Sequence, residues 1–168
     1  MLLSTPRRTF LGSLPTGEPG TATTLQLMRK LVAQYKRAPE IREVALSLIS
    51  GLRAKDWPGE INALFTHVRD NIRYARDIRG CETLQIPPVT LDLAAGDCDD
   101  KSTLLASLLE SIGHPTRFVA VGYTGPREYS HVYVETKHGT RWIPLDATVS
   151  APMGWSPRPP NARLVIHN

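Results

Sequence analysis

Gly96-Asp97-Cys98-Asp99-Asp100-Lys101, running straight into Ser102-Thr103-Leu104-Leu105-Ala106-Ser107-Leu108-Leu109-Glu110-Ser111-Ile112-Gly113, is the stretch that decides the fold. Gly96 permits a tight turn, Asp97 is a good N-cap, and Asp99 and Asp100 put carboxylates where a helix dipole favours them. Leu104, Leu105, Leu108, Leu109 and Ile112 recur at helical spacing, and Gly113 supplies a left-handed stop. Cys98 is therefore the first residue of a buried helix. Unpaired N–H groups at such an end favour a thiolate, the nucleophilic form of cysteine. The expectation is a lowered thiol pKa, with Asp97, Asp99 and Asp100 turned to solvent.

The chain has 168 residues, enough for one domain with one hydrophobic core. Its formal charge of +4 comes from scattered basic residues, which read as solvated surface rather than a nucleic-acid or membrane footprint. Two cysteines, Cys81 and Cys98, do not make a disulfide framework; they fit a reducing compartment or a catalytic thiol. Thr5-Pro6-Arg7-Arg8-Thr9-Phe10-Leu11 has the outline of a twin-arginine signal, but no apolar region follows it. No apolar run approaches the roughly 20 residues of a membrane span. The location expected on these grounds is cytoplasmic.

Residues 1–22, rich in Pro and Gly, read as a flexible arm, and 23–168 as a single domain with a proline-rich C-terminal tail. Three apolar stripes at helical spacing follow the arm: Leu25 to Tyr35, Ile41 to Leu52, and Ile61 to Ile72. Residues 73–95 show no clear period and deliver the chain to the Cys98 turn. After Gly113 the period changes to two, with strand-like runs over 117–123, 129–135 and 141–147. Helices followed by strands give an α+β fold, in which the Cys98 helix packs on an antiparallel sheet.

The strands place the partners a thiol needs. His131 shares a face with Tyr133 and Glu135, and Asp146 shares one with Trp142 and Pro144. A symmetric turn about His138-Gly139 sets His131 directly opposite Asp146, with Cβ atoms about 5 Å apart. A two-residue turn there would put Pro144 in a hydrogen-bonded pair without an N–H to give, so the loop expected is the four residues 137–140. A carboxylate on one imidazole nitrogen fixes the tautomer and frees the other nitrogen for a thiol.

Four blocks resemble the bacterial and phage transglutaminase-like superfamily. They are Gly96 to Lys101 with its leucine-rich helix, Gly113-His114-Pro115-Thr116-Arg117, Ser130-His131-Val132-Tyr133-Val134-Glu135, and Trp142-Ile143-Pro144-Leu145-Asp146-Ala147-Thr148. The resemblance implies a papain-related core. It makes Cys98 the nucleophile, His131 the general base and acid, and Asp146 the residue that orients His131. Met153-Gly154-Trp155-Ser156-Pro157 is similar to the tail of small phage or prophage members. Superfamily members include transglutaminases, proteinases and amidases.

The oxyanion hole needs a donor besides the Cys98 N–H, and Gln85, upstream of the active turn, is the candidate. Hydrolysis of a peptide or carboxamide is expected over cross-linking, because a chain this short shows no added domain to keep water from a thioester. A transglutaminase proper and a phage assembly module are the other readings. No cofactor or metal is called for: Asp97, Asp99 and Asp100 lack the spacing of a calcium loop. Cys98, His131 and Asp146 likewise lack the further ligands of a metal hydrolase. The partner expected is a protein or peptide substrate, with the chain a monomer.

Overall fold

Among the described residues, four of the five helices begin with proline in their first turn, where its missing N–H has no helical partner to lose. The computed structural model describes residues 8–12, 17–76, 82–156 and 158–168. A short strand, β1 (Arg8–Gly12), is followed by α1 (Glu18–Tyr35), α2 (Pro39–Ile49) and α3 (Trp57–Asn71). Short elements come next: β2 (Arg73–Tyr74), β3 (Glu82–Gln85), α4 (Pro87–Leu93) and β4 (Ala95–Gly96). Then come α5 (Cys98–Ser111), β5 (Thr116–Gly122), β6 (His131–His138), β7 (Arg141–Leu145) and β8 (Ala162–His167).

α5 is the axis of the molecule. Leu104, Leu105, Leu108 and Leu109 are wholly buried, and so are the small polar residues Thr103 and Ser107 between them. A helix buried on every side must be covered on every side. Here α1, α2, α3 and α4 pack on it together with β5 and β6. Its buried hydroxyls stay satisfied by bonding back along the helix, Thr103 to the Asp99 carbonyl and Ser107 to that of Thr103, each at 2.7 Å. At its C-terminal end the His114 N–H donates to Leu109 and the Gly113 N–H to Glu110, the paired bonds of a Schellman stop. Gly113 takes φ +100° there.

The main sheet is antiparallel with strand order β7-β6-β5-β8. Phe118, Ala120, Val132, Val134 and Leu145 belong to the core shared with the helices, whereas Val119, Val121 and Tyr133 form a second cluster on the opposite face. The chain after β7 covers that second face. Ser156 is hydrogen-bonded to the Tyr133 hydroxyl, and the Arg158 guanidinium lies 5.1 Å over the Tyr123 ring. No helix of the described residues is long and apolar enough to cross a membrane.

The structure differs from the expectations in three places. The β6–β7 turn is the two residues Gly139 and Thr140, so Glu135 faces Pro144 and Val134 faces Leu145. The register is thus two residues away from the one expected. A shift of two preserves every face. It also puts Pro144 in a non-hydrogen-bonded pair without lengthening the turn, which is the alternative the sequence argument passed over. Second, the stretch read as an arm contains β1 and the start of α1, and β1 pairs antiparallel with β3. Third, Arg163-Leu164-Val165-Ile166, left in the tail, forms the fourth strand beside β5.

The Gly113 stop can be tested in isolation. A Cβ added there would meet nothing within 4 Å, so only backbone strain opposes it. Gly113→Ala is expected to cost about 1 kcal/mol of stability, read as a lower denaturant midpoint with an unchanged slope.

Candidate active site

A chain of polar contacts fixes the start of α5. The Asp97 carboxylate accepts the N–H groups of Asp99 and Asp100 at 3.0 and 3.1 Å, and the Asp100 carboxylate reaches back to the Asp97 N–H, closing a capping box. Gly96 is required beside it, because a Cβ there would lie 2.6 Å from the Cβ of Asp100. Gln85 holds Asp100 from β3: its backbone N–H and its side-chain Nε2 each donate to the carboxylate at 2.7 Å. On the other flank β2 pairs in parallel with β4, which sets Tyr74 beside Gly96.

The first turn of α5 docks on β6 at Val132. The Val132 N–H donates to the Cys98 sulfur, and the Ser102 hydroxyl donates to the Val132 carbonyl at 3.3 Å. Val132 lies two residues beyond the last β6–β7 pair, where the ladder has opened. Its N-terminal neighbour on β6 is His131. The His131 Nε2 is 2.7 Å from Oδ2 of Asp146, whose side chain is 3% exposed against 22% for the imidazole. Thr148 holds the other carboxylate oxygen through its N–H at 3.0 Å and its hydroxyl at 2.6 Å. Nδ1 is the imidazole nitrogen that Asp146 does not engage. His131 also stacks on the Tyr133 ring, with centroids 6.3 Å apart.

Asp146 and Cys98 have opposite electrostatic surroundings. Burial pushes the Asp146 carboxyl up, but the hydrogen bond and charge of His131 and the two donors of Thr148 outweigh it, and the net shift is down. Asp146 is thus an anion at neutral pH. For Cys98, burial pushes the thiol up, the charges of Asp99 and Asp97 push it further, and the Val132 N–H opposes them only in part. The thiol donates to Oδ1 of Asp99 at 3.5 Å. This corrects the expectation of a lowered thiol pKa. The capping carboxylates crowd the sulfur because the same first turn holds them both, and they favour the thiol over the thiolate.

The structure therefore brings His131 and Asp146 into direct contact, and puts the Cys98 sulfur on the backbone of the residue after His131. Gln85, expected as an oxyanion donor, has its amide nitrogen engaged by Asp100, and its Oε1 is buried with no partner among the described residues. Cys81 lies outside the described residues. The donor atoms of Asp97, Cys98 and Asp99 lie within 4.8 Å of one another. Capping bonds account for Asp97 there, and we assign the group to the helix start rather than to a cation.

Residues that sequence reasoning passed over also belong here. Thr148, two after Asp146, has the spacing of a side-chain turn, a readable signal. Ser102, one turn after Cys98, had none. Tyr74, Lys101 and Thr148 line a cavity of about 320 Å³ together with residues 69–73 and the 149–150 turn.

Neutralising Asp99 should release the thiol. With Asp99→Asn the alkylation of Cys98 by iodoacetamide at pH 7.5 is expected to quicken by about 3- to 10-fold, because a nearby negative charge and a hydrogen bond to the neutral form are both removed. An unchanged rate–pH profile would count against this account of the thiol.

Two solved structures share the fold. One is titled "Putative Cysteine Protease", from Cytophaga hutchinsonii, with 17% identity and a TM-score of 0.54 over 72% of this chain and 42% of that one. The other is titled "Putative Protease", from Parabacteroides distasonis, with 14% identity and a TM-score of 0.63 over 86% of this chain and 28% of that one. The chain thus spans less than half the length of either. No curated protein matches it. The model of the transglutaminase-like superfamily matches residues 42–147, from α2 through Cys98 and His131 to the residue after Asp146, and the chain belongs to that superfamily.

Proposed function

We propose that the protein is a thiol acyl-transfer enzyme that cleaves a peptide or carboxamide bond with Cys98, His131 and Asp146. The observation that carries this reading is the 2.7 Å contact from His131 Nε2 to a buried, ionised Asp146, next to a thiol seated on the Val132 N–H. Asp146 holds the imidazole in one tautomer and offsets the charge it gains. Nδ1 takes the proton of the Cys98 thiol as the sulfur attacks the substrate carbonyl. The developing oxyanion meets the Cys98 backbone N–H, which the Asp97 cap leaves to it. As the C–N bond breaks, His131 returns the proton to the departing amine, leaving a thioester on Cys98. Water, deprotonated by His131, then releases the acid and restores the thiol.

A resting thiol is compatible with this sequence. The proton moves in concert with attack, so a neutral Cys–His pair costs nothing beyond what the imidazole recovers in the transition state. Water is favoured as the acyl acceptor because His131 and Tyr74 are both partly exposed, so solvent reaches the reacting atoms. Gln85 serves in this reading to hold Asp100 and the helix start. A transglutaminase would differ only in admitting an amine, and an assembly module would keep the site without the reaction.

Mass spectrometry of the protein mixed with activated ester and carboxamide donors is expected to trap an acyl adduct on Cys98, and none on Cys98→Ala. Asp146→Asn should remain folded and lose about 10³-fold in kcat, through the wrong tautomer. An adduct on another residue, or turnover by Cys98→Ala, would overturn the mechanism. Wild-type protein inert to every donor would favour the assembly module, and incorporation of an added amine would favour the transglutaminase.

A further inference from the structure

The cavity beside the site has a charge that the mechanism does not use. Its volume of about 320 Å³ lies between the end of α3, β2 and the turn after Asp146. Tyr74 of β2 stands opposite Gly96, two residues before Cys98, and Thr148 on the far wall is bonded to Asp146. The cavity thus adjoins both halves of the site. Arg69 builds its frame. Its Nε and Nη2 donate to the Asp70 carboxylate at 2.6 and 2.8 Å, and its Nη1 donates to the Ala151 carbonyl at 2.9 Å, which ties α3 to the turn that follows Asp146.

Three cations, Arg69, Arg73 and Lys101, line the cavity against one carboxylate, Asp70. Arg69 and Asp70 cancel each other. Lys101 is 2% exposed, and its Nζ donates to the carbonyls of Ile72 at 2.5 Å and Arg69 at 3.4 Å. Those carbonyls carry the negative end of the α3 dipole, which would otherwise repel an anion from this space. Arg73 is left over. It is exposed, and among the described residues its guanidinium has no ion-pair partner. Its backbone is fixed by the β2–β4 ladder, with its N–H on the Ala94 carbonyl at 2.8 Å, so the charge enters the cavity from a set place. Ser150 offers a hydroxyl from the opposite wall. One anchored guanidinium, in a space whose opposing dipole is already capped, suits a single negative charge of planar shape, which is a carboxylate. The reach fits a peptide: one strand spacing and two residues separate Tyr74 from Cys98, roughly 10 Å, or about three extended residues. We propose that this cavity is a specificity subsite in which Arg73 takes a carboxylate carried by the substrate about three residues from the bond that Cys98 attacks. The inference rests on the acyl-transfer reading of Cys98, His131 and Asp146, and narrows its substrate to an acidic peptide.

The test has one arm that needs turnover and one that does not. In the binding arm, full-length protein carrying Cys98→Ser, which consumes no probe, is titrated with three peptides and followed by its backbone amide resonances. Acetyl-Glu-Ala-Ala-carboxamide carries a side-chain carboxylate, acetyl-Gln-Ala-Ala with a free acid end carries a terminal one, and acetyl-Gln-Ala-Ala-carboxamide carries none. At least one charged peptide should shift the amides of Arg73, Tyr74 and Ser150 to saturation, with a Kd about fivefold or more below that of the neutral peptide. The tighter of the two charged peptides identifies the source of the carboxylate. Adding Arg73→Gln, a change at an exposed side chain, should bring the ratio to within about twofold. Equal binding of charged and neutral peptides overturns the proposal. So do saturating shifts confined to other residues, a preference that survives Arg73→Gln, and the failure of both charged peptides to bind. In the kinetic arm, wild type should release ammonia from acetyl-Glu-Ala-Ala-carboxamide with kcat/KM about fivefold or more above the neutral carboxamide, the difference lying in KM. Turnover with no such preference overturns the subsite and leaves the acyl-transfer reading standing. Selective binding with no turnover of any donor overturns the acyl-transfer reading and leaves the carboxylate site standing.

Discussion

The site depends on one open peptide. β7 leaves the ladder after Leu145, and two residues further along β6 the N–H and carbonyl of Val132 would be stranded in the interior. A buried peptide without partners costs a few kcal/mol, so something must fill the gap. α5 fills it with Cys98 and Ser102, residues one helical turn apart, which take the N–H and the carbonyl in turn. The central helix and the central strand are thereby locked at a point rather than along a face. Because His131 precedes Val132, this lock holds the first turn of α5 against the strand that carries the imidazole.

Stability and reactivity pull against each other at the same turn. Three carboxylates at a helix N-terminus suit the dipole, and Asp97 and Asp100 complete a reciprocal cap. The helix gains a firm start. The thiol in its midst loses access to its ionised form, since every charge that steadies the first turn is a like charge for a thiolate. In the proposed reaction, activation then comes from the imidazole, and hence from how Asp146 holds it. Sites where local rules conflict in this way are where function is expected to sit.

Much of this was legible in the sequence where a rule acts over a few residues. The cap at Asp97, the stop at Gly113 and the face shared by His131 and Asp146 each follow from spacing within one element or one hairpin. The slipped register did no harm, since a two-residue step leaves side chains on the same face. What stayed hidden was long-range. β1 and β8 are made strands by partners far away in the chain, β3 and β5, and their own proline- and arginine-flanked surroundings read as irregular. Gln85 was found, but the carboxylate that claims its amide, Asp100, lies 15 residues on. The thiol was misjudged for the same reason. Burial and the inward turn of Asp99 are tertiary facts, and neither is written in the helix pattern.

Pro144 has a consequence beyond the register it selects. β7 is an outer strand of the main sheet, and an outer strand ordinarily offers a row of donors and acceptors that another chain can extend. At Pro144, the fourth of its five residues, this one offers neither. Proline has no N–H, and its carbonyl already accepts the N–H of Gly154 at 2.9 Å. The outer edge is thus blocked against edge-to-edge pairing at the end that leads to Asp146. A strand that ends beside the His131–Asp146 pair can stay uncovered there without becoming a template for misassembly.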